Sequence, residues 1–251
     1  MDLVERPSAS FARHPWEIAR ACFFLDQLEG VFRSQPDANV LDAGAGDGWF
    51  AGQLIQRYPK ARVTCFDPNY DFMAPEPFSG AHEHLSFTAG RPHETFSVLL
   101  LLDVMEHIEH DAEALAEFVT NVRPGGHIVM SVPAWQRLFT SHDIALRHFR
   151  RYSPERARAL VRGAGLTLER EGGLFHSLLV ARSVQRLISR ATTDPLDGSH
   201  ARQHSLEWRR GTRLRRWVTW LLQADARFGA KTAQAGFRLP GLSWWSVCRK
   251  P

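Results

Sequence analysis

Residues 40–48 read Val-Leu-Asp-Ala-Gly-Ala-Gly-Asp-Gly, and 19 residues beyond Gly48 a second acid, Asp67, closes the segment Arg62-Val63-Thr64-Cys65-Phe66. No other feature constrains the fold as strongly. An apolar strand, a glycine-rich turn and an acid ending the next strand are the parts of a nucleoside site at the edge of an α/β sheet. The glycines permit positive φ and leave no Cβ between backbone and ligand. An acid in the position of Asp67 accepts hydrogen bonds from ribose hydroxyls. The spacing is Asp-x-Gly-x-Gly-x-Gly, which differs from the Gly-x-Gly-x-x-Gly of dinucleotide-binding turns.

The rest of the chain supplies elements that suit such a sheet. Ile18, Cys22, Leu25 and Leu28 fall at helical spacing, which predicts a helix over 16–32. Strands are expected at 39–42, 62–66, 85–89, 97–102, 127–132 and 166–171, and a last one at 242–248. Helices are expected at 49–57, 113–122 and 154–164; Ser153 caps the last of these and Gly165 follows it. Pro124-Gly125-Gly126 reads as a turn, and 71–79 as loop. The 97–102 segment is almost all leucine, as in a central parallel strand covered on both faces. The expected fold class is therefore α/β, a Rossmann-like, doubly wound parallel sheet of seven strands with an N-terminal helix. Residues 1–251 are read as a single domain. Within it, 174–237 forms a helical insertion before the last strand, broken at Asp194-Pro195-Leu196-Asp197-Gly198 and placed as a lid by the acceptor end of the sheet. Leu214, Trp217, Val218 and Leu221 are its expected buried stripe.

Composition excludes several classes. A hydrophobic content of 44% and a charged content of 23% are those of a globular chain. The most apolar run, 96–105, is too short to span a bilayer. The N-terminus has no basic head followed by an apolar core, so no signal peptide is expected. Cys22, Cys65 and Cys248 lack metal-ligand spacing and suit a reducing cytoplasm. The net charge is +4, with arginines gathered at 147–162 and 202–216. That basicity is not accompanied by a nucleic-acid recognition motif, so nucleic acid is disfavoured as a partner.

A second constellation is Leu101-Leu102-Asp103-Val104-Met105-Glu106-His107-Ile108-Glu109-His110, a strand running into a polar cluster where α/β enzymes place their chemistry. With the glycine turn, Asp67 and Arg123-Pro124-Gly125-Gly126, it resembles the class I S-adenosylmethionine-dependent methyltransferases, and among them the ubiquinone-type O-methyltransferases and their small-molecule relatives. His14-Pro15-Trp16-Glu17-Ile18-Ala19-Arg20, Ser131-Val132-Pro133-Ala134-Trp135 and His148-Phe149-Arg150-Arg151-Tyr152-Ser153 resemble a bacterial subgroup acting in small-molecule and cell-surface pathways. The resemblance implies S-adenosylmethionine as cofactor. It places Asp42, Gly44, Gly46, Gly48 and Asp103 about the methionine end, Asp67 and Pro68 at the ribose, and Ala89 at the adenine. Trp16 and Arg20 join the cofactor site from the opening helix, and His107 faces the transferred methyl. Many relatives carry an acid after the third strand to read the adenine amino group. Here the sequence is Ala89-Gly90-Arg91-Pro92, which leaves that contact to backbone.

The expected reaction is methyl transfer to a small or lipid-linked acceptor, with a hydroxyl oxygen the favoured acceptor atom. Such a displacement depends on alignment and on a base to take the hydroxyl proton. The candidate bases are His107 and His142; Asp143 either orients His142 or caps a helix. Two alternatives stand beside this reading. A metal-dependent RNA 2′-O-methyltransferase would use Asp103, Glu106 and His107 with a later histidine, yet metal-free relatives share Asp-x-x-Glu-His and no metal is expected. A non-catalytic S-adenosylmethionine-binding protein at a membrane would use the tryptophans and arginines of 208–222, whose commoner meaning is core packing with a solvated basic face. A cytoplasmic location with peripheral membrane contact suits these features; nothing in the sequence indicates an oligomeric state.

Overall fold

The structure, a computed structural model, describes residues 13–71, 83–191 and 211–251. The break at 194–198, the segment 208–210 and most of the loop at 71–79 lie outside the described residues. Helix α1 (Pro15–Ser34) opens the fold, capped by the His14 side chain and started by a proline at its first turn. Strand β1 (Asn39–Ala43), helix α2 (Trp49–Arg57), strand β2 (Arg62–Phe66) and strand β3 (Leu85–Thr88) follow. Next come β4 (Phe96–Leu102), α3 (Asp111–Thr120), β5 (Val122–Pro133), a short α4 (Ser141–Ala145), α5 (Pro154–Gly163) and β6 (Thr167–Leu174). The long helices α6 (His176–Ala191) and α7 (Thr212–Gln234) lead to the last strand, β7 (Ser243–Arg249).

The seven strands lie in the order β3-β2-β1-β4-β5-β7-β6. Strands β1 to β5 are parallel, but β7 runs antiparallel to both β5 and β6, so the sheet is mixed rather than wholly parallel. The connection decides this. The chain leaves β6 at the carboxyl edge and comes back to that same edge, since Leu174 pairs with Ser243. A strand that starts where its neighbour ends must run the other way. The expected turn at Pro124-Gly125-Gly126 is also absorbed into β5. Gly125 takes φ 74° and the register with β4 shifts between Phe96 and Val98, which makes it a bulge.

Strand residues alternate between two apolar layers. Val40, Val98, Leu100 and Trp245 pack with α1, α2 and α7, while Leu41, Leu99, Leu101 and Trp244 pack with α3 and α5. In α1 the large apolar side chains that are buried are Phe23, Phe24, Leu25, Leu28, Val31 and Phe32, with Ile18 and Cys22 only half-buried. Of the stripe expected in α7, Val218 packs half-buried against the core, but the other three positions are out of phase with the buried face. Leu222, Ala226, Gly229 and Ala230 are buried, whereas Leu214, Trp217 and Leu221 are exposed. The second half of α7 packs against α1 and β6, a firmer seat than the sheet's open edge. That half of the helix is scaffold.

Candidate active site

The carboxyl ends of β1, β2 and β4 converge on the glycine turn. Gly44, Gly46 and Gly48 have φ of 70°, 57° and 71°. At two of these positions space is as limiting as conformation: a Cβ on Gly44 would lie 2.7 Å from Val104 Cγ2, and one on Gly48 would lie 2.6 Å from Phe87 Cε1. Gly48→Ala is accordingly expected to cost about 1–2 kcal/mol from backbone conformation alone, with the clash in addition, read as a lowered urea midpoint. Backbone N–H groups of Gly44 and Ala45 donate to Phe66 O at 2.7 and 3.2 Å. Gly46 N–H donates to Asp67 Oδ2 at 3.1 Å, and Tyr70 Oη–H donates to Gly46 O at 2.7 Å. Asp67 also accepts from Asn69 N and Nδ2, both at 2.9 Å on Oδ1. Pro68 opens the 3-10 turn that carries these groups, and Ala89 sits just past Thr88, whose O accepts from Asp67 N at 3.2 Å.

From the other side α1 delivers Trp16, Glu17 and Arg20. Arg20 forms an ion pair with Asp103 and lies over the Trp16 ring at 5.3 Å. Asp103 itself takes φ 58°, a left-handed conformation costly for a side-chain-bearing residue, and Ser131 holds it there. Ser131 O accepts from Asp103 N at 3.0 Å, and Ser131 Oγ donates to Asp103 Oδ1 at 2.8 Å. Arg13 bridges Glu17 and Asp47 and covers the Trp49 ring at 4.6 Å, closing the cleft at the start of α2.

Two acids in this group fit a cationic nucleoside cofactor. Asp42 Oδ2 and Glu17 Oε2 are buried without a hydrogen-bond partner. Burial pushes the Asp42 carboxyl up to about 7 and raises Glu17 as well. A bound ammonium or sulfonium would meet the need of both. Arg91 is turned away from the cleft, donating to Glu117 and Asn121, which leaves backbone at Ala89 and Gly90 for a base.

Beyond β4, a 3-10 turn (Met105–His107) brings Glu106 and His107 beside His148. The rings of His107 and His148 meet edge to face with centroids 4.6 Å apart. His148 Nδ1 is 3.0 Å from Asp143 Oδ1, which also accepts from Arg151 Nε at 2.8 Å. Asp143 is fully buried and completes a capping box with Thr140 at the start of α4. Burial opposes its ionisation, but the His148 hydrogen bond and the Arg151 charge hold its carboxyl well below the usual range. The carboxylate that the sequence offered to His142 therefore serves His148. His142 is half-buried in α4, where burial and then Arg182 lower its pKa. In the sequence His148 stands in a motif of the resemblance and among the histidines 107, 110, 142 and 148 that invite a metal, but not as the partner of Asp143. The Thr140-x-x-Asp143 spacing was the available signal, since it commits Asp143 to a cap.

Burial pushes the Glu106 carboxyl up to about 8, and its Oε2 has no hydrogen-bond partner. Because the folded pKa exceeds the unfolded one, stability present below about pH 4.5 is lost as pH rises through about 8. Glu106→Gln is expected to raise the melting temperature relative to wild type progressively across that window and to change little below it. Differential scanning calorimetry at several pH values checks this; a constant offset would mean that Glu106 ionises normally.

A cavity of about 270 Å³ lies further along the sheet, bounded by Trp135, Arg158, Gly173, Arg238 and Trp244. It contains none of these groups, and both arginines are already engaged by the buried Glu171.

Comparison with known proteins agrees with this architecture. The family described as methyltransferase domain matches residues 16–171. The trans-aconitate 2-methyltransferase of Deinococcus radiodurans is 30% identical over 126 residues, 48% of this chain and 47% of that protein. The enzyme of the same name from an Azoarcus species is 24% identical over 198 residues, 75% of this chain and 73% of that protein. The first of these matches spans about half the length of the relative. A solved structure of a putative sarcosine dimethylglycine methyltransferase from Galdieria sulphuraria superposes with TM-score 0.56 at 15% identity, covering 92% of this chain and 84% of that one, a likeness of fold.

Proposed function

The chain belongs to the methyltransferase-domain family, with a class I S-adenosylmethionine-dependent fold, and we propose that it methylates a hydroxyl oxygen of a small or lipid-linked acceptor. The observation that carries this reading is the His107–His148–Asp143 arrangement, whose His107 follows Asp103 by four residues just beyond β4. Bound S-adenosylmethionine supplies a methyl group on a sulfonium, open to in-line displacement.

In this reading the chain's own residues orient and exclude water. Gly44, Gly46 and Gly48 give backbone access to the methionine end, Asp67 and Pro68 hold the ribose, and Ala89 borders the adenine. Asp42 and Glu17 face the cationic part, where their unpartnered oxygens gain a counter-charge. Arg20 and Trp16 close the α1 side, with Asp103 fixed against Ser131. His107 removes the acceptor hydroxyl proton as the new methyl–oxygen bond forms. His148, oriented by Asp143, lies in ring contact with His107 and supports the charge that appears there. Helix α6, which touches the turn at Gln136–Leu138, is the wall that covers the acceptor side.

One observation favours a second reading. Glu106, His107 and His148 can each bring a ligand atom within 4.8 Å of the others, a set a divalent cation would accept. In that version Glu106, His107 and His148 would hold the metal, which would supply Lewis-acid polarisation of the acceptor oxygen, as in the RNA-directed alternative. Turnover of methyl-labelled S-adenosylmethionine against fractionated cell extract, before and after chelation, tests both. An O-methylated product formed after chelation supports the histidine reading. Loss restored by a divalent ion supports the metal version, and an N- or C-methylated product overturns the hydroxyl assignment.

A further inference from the structure

Among the described residues, helices α6 and α7 leave an apolar surface uncovered. Val180, Val184 and Leu187, at positions i, i+4 and i+7 of α6, are 64%, 48% and 66% exposed. Trp217, Trp220 and Leu221 on α7 are 64%, 58% and 53% exposed, and the two indole rings meet edge to face at 5.9 Å. Neither 180–188 nor 211–221 contains a buried residue; in the first half of α7 the half-buried Val218 reaches the core that holds the rest of the helix, while Leu214, Trp217, Trp220 and Leu221 face away from it. Stripes with this spacing ordinarily face something apolar.

Charge narrows what that is. Asp225 is the sole acid in the two helices, and it already accepts from Ser177 N and Oγ at 3.0 and 2.7 Å. Arg213, Arg215 and Arg216 interleave with the exposed side chains of α7, and Arg182 and Arg186 do so on α6. A second copy of the same face would bring like charges together in a dry contact, which opposes dimerisation through it. A nucleic acid would use the arginines but leave the aliphatic ridge of α6 in water. Aliphatic side chains that enter an acyl layer, indoles at its boundary and arginines that reach phosphates suit one surface better than any other, an anionic bilayer.

We propose that the exposed faces of α6 and the first half of α7 dock this protein on an anionic membrane surface. Docking there sets the active-site rim against the lipid. Helix α6 touches the turn at Gln136–Leu138, and Arg182 lies close enough for its charge to act on His142 and Asp143. An acceptor carried on a lipid would then reach His107 without leaving the bilayer. This last step rests on the methyl-transfer reading; the docking itself does not.

The test is co-sedimentation of the full chain with vesicles of phosphatidylcholine alone and of phosphatidylcholine with phosphatidylglycerol in equal parts. Binding is expected to be at least about tenfold tighter to the anionic vesicles and to weaken with salt. Trp217→Ala/Trp220→Ala should weaken it by about tenfold, since two boundary anchors are lost. Arg213→Glu/Arg215→Glu/Arg216→Glu should abolish the preference for anionic lipid. Calorimetry with S-adenosylmethionine accompanies each variant: these side chains, exposed apart from the half-buried Arg215, lie outside the cofactor cleft, so that affinity should not change. Failure of wild type to sediment with anionic vesicles overturns the proposal, as does equal binding by the variants. Self-association that the tryptophan variant removes would assign the face to a second copy and overturn it too. Loss of cofactor binding by wild type would count against the methyl-transfer reading and leave the vesicle result to stand by itself.

Discussion

His107→Ala is expected to lower turnover by about 10²–10⁴-fold, the range for a lost general base, while the affinity for S-adenosylmethionine stays within about a few-fold of wild type. In barrier terms this is about 3–5 kcal/mol, far more than removing a surface histidine would cause. The expectation follows from position. His107 follows β4 on a 3-10 turn whose neighbours are fixed: Tyr152 Oη–H donates to Met105 O at 3.0 Å, and Phe149 N–H to Glu106 O at 2.8 Å. His148→Ala should act in the same direction with a smaller loss, because it removes a neighbour of the base rather than the base. His142→Ala should matter least of the three, since Asp143 is directed to His148 and Arg151. Single-turnover methyl transfer, paired with calorimetry of the cofactor, separates the cases. If His107→Ala loses cofactor affinity along with turnover, the residue belongs to the cofactor pocket and the assignment of the base passes to His148.

Asp67→Ala is expected to weaken S-adenosylmethionine and S-adenosylhomocysteine by about 2–3 kcal/mol, the worth of charge-assisted hydrogen bonds to two hydroxyls. The structure adds a second route to the same loss. Asp67 Oδ2 accepts from Gly46 N, so the side chain also ties the glycine turn to the end of β2. Its removal should therefore lower the urea midpoint in the absence of cofactor as well. Asp67→Asn keeps an oxygen for the Gly46 N–H but loses the charge, so it should recover most of the stability and little of the affinity. Equal affinities for wild type and Asp67→Ala would remove Asp67 from the cofactor site.

Much of this fold was legible in local pattern. The helix at Trp49–Arg57 and the strand at Arg62–Phe66 begin and end where the sequence places them, because Gly48 and the Tyr58-Pro59 pair punctuate the chain there. The glycine turn was legible for the same reason, since a residue that must take positive φ declares itself one position at a time. The seven strands were found, and so were helices between the last two.

What the sequence could not carry were the choices between equally good partners. Nothing local to Leu242–Arg249 states that its neighbours run the other way; that depends on the chain returning to the edge it left. The apolar residues of α7 allow two stripes, and contact with α1 selected Leu222, Ala226 and Ala230 over Leu214, Trp217 and Leu221. Asp143 stands beside His142 in the chain, yet its carboxylate meets His148 and Arg151. The sequence by itself determined the cofactor turn and the alternation of strands and helices, because both are written in short-range sterics and periodicity. The direction of the last strand, the face α7 buries and the histidine that Asp143 orients were decided by tertiary packing, where residues far apart in the chain compete for the same desolvated partner.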